Sequence, residues 1–253
     1  MPIAYARGLT GGQRSKRADG HLGFVLAFVA GATNAGGFLA VQQYTSHMTG
    51  IVSAMADNIA LGAYGLALTG AGASISFVAG AVVSAVMVSH ARRHRMQSVY
   101  ALPLLVEAFL LLCFGILGAR LSRIEGLFVP VTVVLLCFIM GLQNALISKL
   151  SKAEMRTTHV TGVVTDIGIE LGKLLYWNRG GAPEAVPVGV DRIRLRMLSL
   201  LAISFFTGGV VGTWGFKHLG YLSTVPLALI LVMLAIVPVV DDLVASLRRK
   251  QQS

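Results

Sequence analysis

Two histidines stand in the same polar frame, Thr45-Ser46-His47-Met48-Thr49-Gly50 and Thr157-Thr158-His159-Val160-Thr161-Gly162. Hydroxyl and imidazole groups side by side both donate and accept hydrogen bonds, and Ser or Thr close to Gly suits the start of a helix. A helix start carries open N–H groups and partial positive charge, so each copy is a candidate half-site for an anion or the electronegative end of a polar solute. Upstream, Gly31-Ala32-Thr33-Asn34-Ala35 matches Gly141-Leu142-Gln143-Asn144-Ala145, with the shared His 13 residues after Asn34 and 15 after Asn144. The candidate solute-binding set is therefore Asn34, Thr45, His47, Thr49 and Gly50, with Asn144, Thr157, His159, Thr161 and Gly162. The plainer alternative is that these side chains satisfy backbone groups and hold helices together.

Carboxyl groups inside apolar sequence are costly and often mark proton pathways. Glu107 lies in the middle of "LPLLVEAFLLLC". Asp166 follows His159 by two helical turns and shares its face, Glu170 continues that face, and Asp57 follows His47 by ten residues. These four are the proton-coupling candidates. The sequence has no H-E-x-x-H, G-x-S-x-G or clustered Cys ligand set, so no catalytic residue, metal site or cofactor is expected, and Cys113 and Cys137 read as packing residues.

The elements that must carry these groups are membrane helices. Apolar residues form 55% of the chain, 13% is charged and the mean hydropathy is +0.74, well above a soluble domain. A net charge of +10 then points to basic loops on one membrane face, not to nucleic acid. Six runs are long enough to cross, at 21–42, 72–91, 99–119, 126–148, 197–216 and 221–240. Two further segments, 49–68 and 162–176, are ambiguous, since each begins with the repeated motif and carries acidic groups. If neither crosses, all but three of the 21 Lys and Arg, namely Arg120, Arg123 and Lys217, lie on the cytoplasmic side. Eight crossings leave seven on the other side, a poorer fit to the positive-inside bias.

The expected fold is an all-α polytopic membrane protein of six spanning helices plus two short or re-entrant helices, built as two inverted repeats. A basic cytoplasmic leader (1–20) precedes repeat one (21–119) and repeat two (120–240), each ordered span, short helix, span, span; a basic cytoplasmic tail (241–253) follows. Three crossings per repeat is an odd number, so the second copy starts from the opposite face, a recurrent transporter plan. From there the extended chain before each motif would reach the midplane, and the two helix starts would converge around a shared polar site.

The paired G-x-x-N-A and T-[ST]-H-[MV]-T-G motifs, clearest in "GLQNA" and "RTTHVTGVVTDIG", resemble the YoaK family of bacterial membrane proteins over about residues 20–240. That resemblance implies six spans and no assigned function. The first copy departs from the family pattern in lacking an Asn after T-G. The function expected from the residues is transport of a small polar or anionic solute, coupled to protons, in the bacterial cytoplasmic membrane with both termini inside. The alternatives are a channel of the same plan or a structural, partner-binding subunit. Expected partners are the bilayer, the solute and a further copy of the chain.

Overall fold

Backbone groups that cannot reach water must be paired within their own segment, which leaves a long apolar run little choice but a helix. The computed structural model describes residues 16–94, 96, 98–121, 125–150, 158–176 and 189–250, and these contain helices with no strand. In chain order they are α1 (Lys16–Val41), α2 (Met48–Ala60), α3 (Tyr64–Arg93), α4 (Ala101–Leu121), α5 (Glu125–Leu150), α6 (Val160–Leu175), α7 (Arg192–Leu219) and α8 (Thr224–Lys250). Five stretches are long and apolar enough to cross a membrane: Gly20–Val41, Tyr64–Arg93, Ala101–Arg120, Val129–Lys149 and Arg192–Ile236. The protein is thus a helical membrane protein. The fifth stretch is interrupted by the 3-10 turn Gly220–Ser223, where Gly220 takes φ 59°.

The two ambiguous segments resolve as short helices. The first is broken after Ala60 by Gly62 at φ 75°, and α3 then begins at Tyr64, eight residues before the expected start of that span. At helical rise the 13-residue α2 is about 20 Å long and the 16-residue α6 about 24 Å, against a hydrocarbon core of about 30 Å. Of the expected leader, residues 1–15 lie outside the described residues.

Helices from the two sequence halves interlock. The most extensive contacts pair α1 with α7, α3 with α5 and α4 with α8, while α2 lies on α3 and α6 on α7. Four Phe-x-x-Gly segments make the first two crossings. A Cβ at Gly31 would overlap the Phe205 carbonyl and one at Gly208 the Phe28 carbonyl; on the other crossing, Gly80 meets the Phe138 carbonyl and Gly141 the Phe77 carbonyl. Backbone therefore touches backbone at both places. Ser76 Oγ adds a 2.7 Å bond to the Val134 carbonyl between α3 and α5.

The contacts also fix helix directions. Ser76 beside Val134, and Lys149 Nζ at 3.1 Å from Ser89 Oγ, make α3 and α5 parallel. By contrast α1 and α5 are antiparallel, because Gln143 Nε2 reaches the Leu26 carbonyl at 3.4 Å while Leu136 packs on Gly37. Between them Leu22, Leu26, Leu104, Leu111, Phe114, Leu136 and Leu201 form the buried centre. Ile75, Val78, Val82 and Val86 of α3, and Phe206, Val210 and Trp214 of α7, are exposed outward, as lipid-facing residues should be.

Replacing Gly31 or Gly141 by Ala should force the crossing apart and lower stability by about 1–3 kcal/mol, the usual cost of overpacking. Gly168→Ala, where nothing lies within 4 Å of the added carbon, should be neutral or slightly stabilising. Thermal unfolding of the three purified variants in one detergent distinguishes them.

Candidate functional site

After α1 the chain turns back on itself. Gln42 adopts φ 54°, a left-handed conformation seldom taken by residues other than Gly or Asn, and its N–H closes on the Phe38 carbonyl at 2.8 Å. Tyr44 then stacks on Phe38 with ring centroids 4.6 Å apart, and Ser46 Oγ reaches Asn34 Oδ1 at 2.9 Å. The return segment therefore runs back antiparallel to α1, and it closes in a turn in which the His47 N–H donates to the Tyr44 carbonyl at 3.3 Å. Thr45, wholly buried, gives its carbonyl to Cys137 Sγ at 3.4 Å, while its hydroxyl has no partner. His47 follows as the N-cap of α2.

The second copy repeats the Asn contact and the His N-cap. Thr158 Oγ1 donates to Asn144 Oδ1 at 2.7 Å, and His159 is the N-cap of α6. Neither His caps its helix through the side chain; instead each imidazole lies over the glycine three residues later, where a Cβ on Gly50 or Gly162 would overlap the ring. The Gly of T-H-x-T-G is therefore room for an imidazole. His47, Thr49, His159 and Thr161 are exposed, and Thr157 lies outside the described residues. Exposed first turns without a side-chain cap leave N–H groups available to an anion or polar oxygen.

The structure brings each motif to its own Asn and does not seat one motif on the other. Asn34 lies seven residues before the end of α1, so the return strand comes back about 10 Å along the helix, short of the half-thickness of about 15 Å that sequence reading expected. Gln143, next to Asn144, is level with Leu26, which places the two anchors about 12 Å apart along α1. The two anchors are therefore staggered along α1 and α5, Ser46 being tied to Asn34 and Thr158 to Asn144.

The four carboxylates have different surroundings. Glu107 is completely buried; its Oε1 accepts from Gln143 Nε2 at 2.7 Å, and Glu107 Oε2 and Gln143 Oε1 have no partner. Gln143 Nε2 also donates to the Leu26 carbonyl, so one amide links α4, α5 and α1. Asp166 and Glu170 instead dock α6 on the start of α7. Arg194 Nη2 is 3.0 Å from Asp166 Oδ2, and buried Glu170 accepts from Lys173 Nζ at 2.7 Å and Asp191 N–H at 2.9 Å. The Lys173 ammonium first, and then the Asp191 N–H, hold the Glu170 carboxyl below its ordinary range. Asp57 is exposed on α2 and is not gathered to any of these groups.

Sequence reading overlooked Ser46 and Thr158, although a hydroxyl before each His was the available signal. It also overlooked Gln143, visible as the polar neighbour of Asn144, and Asp191, whose Oδ1 caps α7 by accepting from Ile193 and Arg194 N–H at 3.0 and 2.9 Å. No group of three or more His, Cys, Asp or Glu able to hold a metal occurs among the described residues.

A family model described as "Protein of unknown function (DUF1275)" matches residues 22–237. No curated protein and no solved structure matches the chain.

Asn34→Ala and Asn144→Ala should each lower stability by about 0.5–2 kcal/mol, the range for interhelical polar contacts in membranes. Double-mutant cycles with Ser46→Ala and Thr158→Ala should return a coupling within each copy and none between copies, read by thermal unfolding.

Proposed function

We propose, for a chain that belongs to this family of unknown function, an integral membrane transporter of a small polar or anionic solute held between the two T-x-H-x-T-G segments. The observation that carries this reading is the paired geometry of the motifs: two exposed, His-headed helix starts without side-chain caps, each drawn back along a span by its own Asn. Such starts offer N–H groups, imidazole and threonine hydroxyl to one solute at a time, in two staggered positions along a path. The residues assigned to solute contact are Asn34, Thr45, His47, Thr49 and Gly50 with their counterparts Asn144, Thr157, His159, Thr161 and Gly162. Proton coupling is assigned to Glu107, whose charge state governs the bond that joins α4 to α5 and α1.

The two halves are proposed to be inverted repeats with six crossings, in the bacterial cytoplasmic membrane with both termini inside. Antiparallel α1 and α5, the first spans of the two copies, support this plan, since eight crossings would make them parallel. A single crossing of 45 residues would be about 68 Å long, so the stretch Arg192–Ile236 is read as two spans folded at Gly220. The motif likeness to YoaK proteins agrees with this count. One observation favours a structural role instead: the Ser46 and Thr158 hydroxyls are already bonded to Asn34 and Asn144.

Two experiments test the proposal. Accessibility labelling should place Leu66→Cys outside and Arg93→Cys inside; the reverse would replace six crossings by eight. Proteoliposomes screened with small anions and polar neutral solutes should accumulate at least one of them, with His47→Ala and His159→Ala each weakening apparent affinity roughly tenfold. In the same assay Glu107→Gln should remove the dependence on a pH gradient while the protein stays folded. Uptake that is identical in parent and both His variants would reduce the motif to a structural device.

A further inference from the structure

The last turns of α3 and α5 gather basic side chains that the motif half-sites do not use. Arg92 donates to the Tyr100 hydroxyl and, at 3.4 Å, to the Lys149 carbonyl at the end of α5. Lys149 Nζ is held by Ser89 Oγ at 3.1 Å. On the same helix end His90 and His94 lie with ring centroids 4.3 Å apart, and Arg93 is exposed beside them. None of these five side chains is ion-paired to a carboxylate among the described residues; the ion pairs found there are Lys173–Glu170 and Arg194–Asp166. Two of the five, Arg92 and Lys149, are pre-positioned by neutral partners, which leaves their charge uncompensated among the described residues.

The same helix supplies an apolar complement. Ile75, Val78, Val82 and Val86 are 70%, 60%, 54% and 61% exposed and recur at three- and four-residue spacing, and His90 and Arg93 continue that line. From Ile75 to Val86 the stripe is about 16 Å long, close to the depth of one leaflet of a 30 Å core. A bare valine face one leaflet deep, ending in oriented, unpaired cations, has the shape and charge order of a phospholipid.

We propose that the α3–α5 end is a docking site for an anionic phospholipid, its headgroup phosphate held by Arg92, Arg93 and Lys149 and its acyl chain lying along Ile75 to Val86. A free phosphate would use the cations and leave the stripe unused, so the lipid is the occupant that both features favour. The site requires that α3 and α5 end at one membrane surface, and it is independent of any solute transport. Basic pockets between spans on the cytoplasmic side are a general setting for such headgroups.

The test uses the full chain purified in a neutral detergent, then titrated separately with phosphatidylglycerol, phosphatidylcholine and inorganic phosphate. Bound lipid is counted by native mass spectrometry and stability is followed by thermal unfolding. Phosphatidylglycerol should bind and stabilise; phosphatidylcholine and inorganic phosphate should not. Arg93→Gln, which removes no internal bond, should weaken binding roughly fivefold, and Arg93→Gln with Lys149→Gln more than tenfold. Lys217→Gln on α7 is the charge control and should bind as the parent does. Equal stabilisation by inorganic phosphate would replace the lipid with a free anion. Equal losses in Lys217→Gln and Arg93→Gln, or none in either, would overturn the site altogether.

Discussion

Everything in this structure depends on two places where helix backbones touch. Between lipid-embedded helices there is little hydrophobic gain from association, since lipid tails are as apolar as leucine, and attraction has to come from close packing and polar contacts. Gly31 and Gly208 on one crossing, and Gly80 and Gly141 on the other, each admit a carbonyl of the opposing Phe-x-x-Gly segment. Because α1 pairs with α7 and α5 with α3, neither half of the chain can complete its packing alone. The halves must interlock before either is stable.

The short helices sit on this frame. Once α1 is set against α7, and α5 against α3, the short helix that follows each first span is laid on the next span of its own half, α2 on α3 and α6 on α7. The residue before each capping His is tied to its own first span, Ser46 to Asn34 in one copy and Thr158 to Asn144 in the other. The return also answers the backbone problem, because non-helical chain is tolerated at membrane depth only against protein or a watery cavity. Phe38, Gly37 and Cys137 provide the protein side for residues 44–46. His47 and His159, just beyond, face away from it.

What was legible in the sequence follows from range. The centres of all six expected spans fall inside helices, and the duplicated Asn and His appear at matching places, since these signals are local and repeated. Boundaries were less readable. Apart from Asp57 and Asn58 the run 49–68 is largely apolar on both sides of residue 62, so hydropathy gives no hint of the break that Gly62 makes by its backbone conformation; the start of α3 was missed because Thr69, Gly70 and Gly72 dilute its first turns. Pairings between distant residues left no trace that composition could reveal. Gln143 as the partner of Glu107, and the triplet Ile75-Ser76-Phe77 as the counterpart of Ile203-Ser204-Phe205, become recognisable only when the crossings are seen. The stagger of the half-sites was hidden for the same reason, since it depends on where α1 and α5 cross and not on how far an extended strand can reach.

Glu107 is where the internal likeness of the two halves ends. Aligning Pro103 of α4 with Pro226 of α8 puts Ile230 opposite Glu107, and Gln143 has Thr33 as its match. A frame with two similar ends and a carboxyl buried on a span of one half is unequal at its centre. The Gln143 amide faces two acceptors, Glu107 Oε1 and the Leu26 carbonyl, so its orientation is set by the need to donate to both. Loss of negative charge on Glu107 weakens the stronger of these bonds and leaves α4 less firmly held to the α1–α5 crossing, with no equivalent change on the α8 side. A chemical difference at one residue is thus enough to make two nearly matching halves respond unequally to a proton, while in a transporter of the proposed kind the gradients of solute and proton, not the frame, set the direction of net movement.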